Sequence, residues 1–261
     1  MEGPAATIAL VLAETAAGGT ALLWLGGLWG RVRRGFFVLT GLAVLSCAVL
    51  ATLAASSAAT TPVGEAARLA VLLCALTSAV LGLSAAALIL RLDAAGRVLG
   101  LVAIPAAVAM LVGFARVAGS DVVPALLELL AGAVFLGAVL DGLLLGHWYL
   151  TDRRLPREHI RRLSVVLLVA VALEAAAVAV LGFGTSEPAD VSGFSPILGV
   201  AGLTVWLALG MVACTALIAV LIRASLRGQS ARAVQGATGF FYLAVITALT
   251  AEMAAKVGFL G

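Results

Sequence analysis

Five carboxylates interrupt long apolar runs: Glu14, Glu128, Asp141, Glu174 and Glu252. A charged acid at the centre of a bilayer costs about 2.5–3.5 kcal/mol on insertion scales, so each is a candidate for chemistry. An apolar surrounding favours the neutral carboxyl, and a group holding an exchangeable proton suits a proton relay or a quinol site. Counted along their spans at about 1.5 Å per residue, Glu14, Glu128 and Glu252 lie some 8–13 Å from one common end. Gathered there, they supply a proton acceptor for a quinol hydroxyl and a path that carries the proton away. Glu174 falls near the midplane and Asp141 in the opposite third, as proton-relay positions. The plainer role for each acid is a protonated group that hydrogen-bonds between helices, and Glu128 and Lys256 are close enough to the surface to snorkel.

His147 and His159 are the only histidines. As an axial pair they would hold one haem b with neighbouring arginines on its propionates, or they would meet a quinone head group. Their place near the membrane surface fits an interfacial side chain and a loop residue better, and a two-haem bis-histidine core is excluded. Cys47, Cys74 and Cys214 lie inside apolar runs with no CxxC spacing, as small core residues do. No P-loop, GxSxG or HExxH pattern is present, and no metal site is expected.

With 63% hydrophobic residues, 11% charged residues and a mean hydropathy of +1.20, the chain cannot cover a soluble globule, and the bilayer must be its solvent. Cutting at the charge clusters gives eight apolar spans, roughly 5–29, 35–57, 66–90, 98–118, 122–149, 161–183, 196–222 and 233–258. They must be helices, because open strands would leave backbone groups unpaired in hydrocarbon. The fold class is therefore all-α and polytopic. Residues Met1-Glu2-Gly3-Pro4 offer no basic n-region, so the first span is expected to remain.

Arginines concentrate in alternate loops: Arg31, Arg33 and Arg34; Arg91 and Arg97; Arg153, Arg154, Arg157, Arg161 and Arg162; Arg223, Arg227 and Arg232. The opposite loops carry Glu65, Asp121, Glu187 and Asp190. By the positive-inside rule the arginine loops face the cytoplasm of a bacterial inner membrane and both termini lie outside. The basic balance needs no nucleic-acid partner; lipid is the expected surrounding.

The densest stretch is Pro124–Arg162, with Glu128, Asp141, Gly142-Leu-Leu-Leu-Gly146 and both histidines. Its start has a copy: Glu14-Thr-Ala-Ala-Gly18 in the first span matches Glu128-Leu-Leu-Ala-Gly132 in the fifth. Arg33-Arg34 and Arg161-Arg162 open the second and sixth spans, and Arg91 and Arg223 close the third and seventh. This ordering predicts a parallel 4+4 repeat, residues 1–120 forming one four-helix unit and 121–261 the other. Gly18, Gly19, Gly26, Gly27, Gly132, Gly137, Gly142 and Gly146 are expected to let helix backbones approach. Pro105 should bend the fourth helix, while Trp148 and Tyr149 read as interfacial anchors.

The order of spans, Ala17-Gly18-Gly19 after a polar residue, and Ala251-Glu252-Met-Ala-Ala-Lys256-Val-Gly-Phe259 together resemble the membrane-anchor subunits of dimethyl-sulfoxide and polysulfide reductases. The resemblance implies two four-helix bundles without haem and electron exchange between a quinone (menaquinone or ubiquinone) and an iron–sulfur or cytochrome partner subunit. It also implies a quinol-linked acid before the third span, a position matched by Glu65. The chain departs from the pattern at Ala251, where glycine is usual, and at Lys256, where arginine is, and Gly146–Leu150 lies outside it. The expected function is a quinone-interacting subunit of a redox complex. A proton-coupled transporter and a non-catalytic assembly subunit are the alternatives.

Overall fold

A computed structural model describes residues 1, 3–59, 64–119, 121–152, 155–181, 202–228, 231–257 and 259–260. Arg153, Arg154, Glu187 and Asp190 lie outside the described residues. The described residues form eight helices and no strand: α1 Gly3–Leu25, α2 Arg34–Ala58, α3 Glu65–Ile89, α4 Asp93–Val117, α5 Val122–Thr151, α6 Glu158–Leu181, α7 Leu203–Ser225 and α8 Ala231–Ala255. All eight are long and apolar enough to cross a membrane. The chain is a multi-pass helical membrane protein.

Helix ends follow local chemistry. Gly26 and Gly27 lie beyond α1, where Gly27 takes φ +68° and turns the chain; they stop the helix and do not pack it, against expectation. Glu65, Asp93 and Glu158 stand in the first turns of α3, α4 and α6, where a negative charge complements the helix dipole. Pro105 sits inside α4, and the neighbouring Ala106 carbonyl accepts a hydrogen bond from Thr77 of α3 at 3.1 Å.

In the first group α1 packs on α2 and α4, and α3 bridges those two. In the second, α5 packs on α6 and α8, and α7 bridges them. The groups meet along α1 and α5, with α4 against α5 and α8 against α1 at the flanks. Each helix of the first group thus has neighbours matching those of the helix four places later. In α1, 72% of the most apolar window is buried, against 33–44% in the other helices, which makes α1 the axis of the molecule. Outward leucines such as Leu53, Leu72 and Leu83 are more than half exposed, as side chains that touch lipid must be.

No hydrophobic effect separates helix from lipid, so close backbone contact must supply the association. At the α1–α5 seam Gly18 lies directly on the backbone of Ala133 and Gly137; a side chain at Gly18 or Gly137 would collide with main chain. At the α5–α8 seam Gly142 faces the Phe241 ring, and a methyl group at Gly146 would come 2.6 Å from Thr238 Oγ1. At the end of the bundle bearing the arginine loops, the ring centroids of Trp24 and Trp29 are 5.4 Å apart, Phe37 lies 4.9 Å from Trp29, and the Arg97 guanidinium covers Trp29 at 5.7 Å.

Two sequence expectations change here. Tyr149 is buried and donates its hydroxyl to the Pro156 carbonyl, while Trp148 packs on Gly35 and Phe36 of α2. Tyr149 thus ties α5 to the connection before α6, and the half-buried Trp148 ties it to α2. Cys74 is buried as expected, but Cys214 is exposed on α7.

Candidate functional site

The end of α8 places Glu252 and, one residue past the helix, Lys256 four residues apart on one face, the spacing that brings an acid and a base together. The Lys256 amide donates to the Glu252 carbonyl at 2.9 Å, and Thr7 of α1 donates its hydroxyl to the Lys256 carbonyl at 3.4 Å. These bonds fix the end of α8 against α1 and turn the lysine inward. Lys256 is 1% exposed. Snorkelling, expected for it and for Glu128, does not occur, because three carboxylates offer the ammonium better partners than the membrane surface does.

Lys256 Nζ lies 2.9 Å from Glu128 Oε1 of α5, 3.3 Å from Glu14 Oε1 of α1 and 3.7 Å from Glu252 Oε2. The Phe259 ring centroid stands 5.2 Å from the same nitrogen and closes that side. Glu174 of α6 joins the cluster, near enough to Glu252 and Lys256 for its carboxyl to interact with both. Glu14, Glu174 and Glu252 are each at most 1% exposed. Gly132, one turn beyond Glu128, makes the room. A methyl group there would come 2.7 Å from Glu14 Oε1 and 3.0 Å from Glu252 Oε1.

The charges do not balance if every group is ionised: one ammonium faces four carboxyls. Several like charges confined in low dielectric are not sustained, and carboxyls in this situation share protons. The Glu174 and Glu252 oxygens accept no hydrogen bond from an N–H or hydroxyl among the described residues. Two adjacent carboxyls bond to each other only through a proton that one of them carries.

Glu14, Glu128 and Glu252 converge as the sequence indicated. Glu174 joins them instead of standing apart at the midplane, since α6 is counted from Glu158 and its second half lies level with the end of α8. Asp141 stays separate on α5, 1% exposed and without a hydrogen-bond partner for either oxygen among the described residues. Glu65 is exposed at the first residue of α3, a helix packed on α2 and α4 rather than on the helices of the cluster. His147 is exposed on α5 and His159 is buried at the start of α6, both toward the arginine-loop end. No group of three or more His, Cys, Asp or Glu among the described residues is arranged to hold a metal ion. A groove of about 560 Å³ between α2 and α3, lined by Arg33, Arg34 and leucines, lies at that same end.

The lysine hub was missed in the sequence, although the Glu252–Lys256 spacing was the signal that could have found it. Fold and site define a polytopic helical membrane protein with a buried carboxyl–lysine centre where two four-helix groups meet. Compared with protein families, with curated proteins and with solved structures, the chain matches none.

Proposed function

We propose that this chain is a proton-coupled membrane protein, with transport between its two four-helix groups as the leading reading. The observation that carries it is the Lys256 cluster, which draws Glu14 from one group and Glu128, Glu174 and Glu252 from the other. A relative movement of the groups would part Glu14 from Lys256 and alter how many protons the remaining carboxyls hold. The matching neighbours of α1–α4 and α5–α8 support a duplicated 4+4 design for that movement.

A second reading is favoured by one specific observation. Glu14, Glu128 and Glu252, the acids assigned above to a quinol site, meet at one lysine. In that reading the chain exchanges electrons between a quinol and an iron–sulfur or cytochrome partner while the cluster accepts the protons. In either case the arginine loops face the bacterial cytoplasm and the termini face outward.

Infrared difference spectra of the purified protein across a pH jump test the common premise. A carboxylic-acid C=O band is expected, and E14Q and E252Q should each diminish it; a spectrum with no such band overturns the proposal. Two further measurements on the same preparation separate the readings. Transport predicts potential-driven proton movement by this chain alone in liposomes, detected by an entrapped pH dye. The quinol reading predicts that a menaquinol analogue shifts the C=O band while the liposomes stay tight.

A further inference from the structure

We propose that Asp141 is a second protonation site, separate from the Lys256 cluster and reached from the arginine-loop end of the molecule. The inference rests on the proton-coupled reading and gives it a second station. Asp141 lies 13 residues beyond Glu128 on α5, about 20 Å along the helix at 1.5 Å per residue. It sits in the corner of α1, α2 and α5, where a methyl group on Gly19 would come 2.8 Å from Val44 Cγ2 and 3.8 Å from Asp141 Oδ1. Both Asp141 oxygens are buried and accept no hydrogen bond among the described residues.

Two more buried polar groups without partners occupy the same corner. One is Thr40 Oγ1, one turn from Val44 on α2; the other is Trp148 Nε1, two turns beyond Asp141 on α5 and packed on Gly35 and Phe36. Buried polar groups are nearly always satisfied, by ordered water where protein offers nothing. Thr40 and Trp148 both lie on the arginine-loop side of Asp141, so the polar groups with spare hydrogen-bonding capacity continue from it toward that end and toward no other.

Toward the cluster the situation reverses. Gly18 lies on Ala133 and Gly137 with main chain against main chain, leaving no room for water in the α1–α5 seam between the two stations. The acids on the helices packed around α5 are Glu14 on α1, Glu174 on α6 and Glu252 on α8, all in the cluster, and Asp93 and Glu158 at the first turns of α4 and α6. The bases Arg34, Arg97, Arg161, Arg162 and Arg232 stand at the arginine-loop end, and Arg116 near the far end of α4. Protons passing between the stations must wait for the α1–α5 seam to part.

The test uses the full chain in liposomes of one orientation, treated with dicyclohexylcarbodiimide, which enters the membrane and modifies protonated carboxyls, followed by peptide mass mapping. Asp141 and the cluster acids should be modified as separate residues, with Asp141 told apart from Glu128 by fragmentation because no Lys or Arg lies between Arg116 and Arg153. Raising the pH on the arginine-loop side alone should cut Asp141 labelling at least threefold and leave cluster labelling unchanged. T40V should blunt that response, and E252Q should not alter it. Failure to label Asp141, or labelling that follows the pH of the opposite side, overturns the proposal. Responsive Asp141 labelling with an unlabelled cluster would instead remove the Lys256 site from the mechanism and leave this inference standing.

Discussion

Lys256 Nζ and Glu128 Oε1 stand 2.9 Å apart across 128 residues of chain, fastening the end of α8 to the second turn of α5. Buried pairs lose far more when one partner is removed than when both are replaced, since the survivor is left as an uncompensated charge. K256M is expected to lower stability by about 3 kcal/mol, and K256M/E128Q to recover at least about 1 kcal/mol of it. Denaturant unfolding in detergent, arranged as a double-mutant cycle, measures both. Strict additivity of the two substitutions would show that the ion pair carries no coupling.

G132A probes the space beside the carboxyls. The added methyl would come 2.7 Å from Glu14 Oε1, so a carboxyl must move from the lysine. A loss of about 1–3 kcal/mol is expected, the usual penalty for overpacking. G41A is the control: nothing lies within 4 Å of that site, and alanine in place of glycine in a helix should gain about 0.5–1 kcal/mol. Equal effects at the two positions would contradict the packing described.

G137A strikes the seam itself. Because its neighbour is the backbone of Gly18, no rotamer change can relieve the clash, and α1 must move away from α5. The variant should unfold more readily than G132A. Cysteine pairs placed across α1 and α5 should cross-link several-fold less in it; unchanged cross-linking would refute the close approach.

Thr215 of α7 and Thr247 of α8 share a hydrogen bond of 2.7 Å. In a membrane such bonds are worth only about 0.6 kcal/mol on average, because helices dissociated within the bilayer find other partners. T215V/T247V is therefore expected to be nearly as stable as the native protein, within about 1 kcal/mol by the same unfolding measurement. A loss twice that size would mean the pair is isolated from any substitute partner.

The spans were legible because hydrocarbon demands apolar length, but their limits were not. The fourth span, counted from residue 98, begins structurally at Asp93, and the sixth begins at Glu158 instead of 161. Helices continue into the headgroup region, where charged residues are comfortable and apolar counting stops. In the first span the reverse happened: apolar counting ran to residue 29 while Gly26 and Gly27 ended α1 at Leu25. Three cluster acids could be read from depth alone, since Glu14, Glu128 and Glu252 share one level. Depth says nothing about azimuth, and so the inward turn of Lys256 and the arrival of Glu174 from α6 became visible only in three dimensions.

Trp24, Trp29 and Trp148 stand at the arginine-loop end of α1, its following turn and α5, with Phe36 and Phe37 of α2 between them. Indoles this close couple electronically, and their emission and near-ultraviolet dichroism depend on spacing and tilt. The molecule thereby carries a built-in optical gauge at the arginine-loop end of its central seam, readable without any attached dye. Light absorbed there reports how α1, α2 and α5 stand relative to one another.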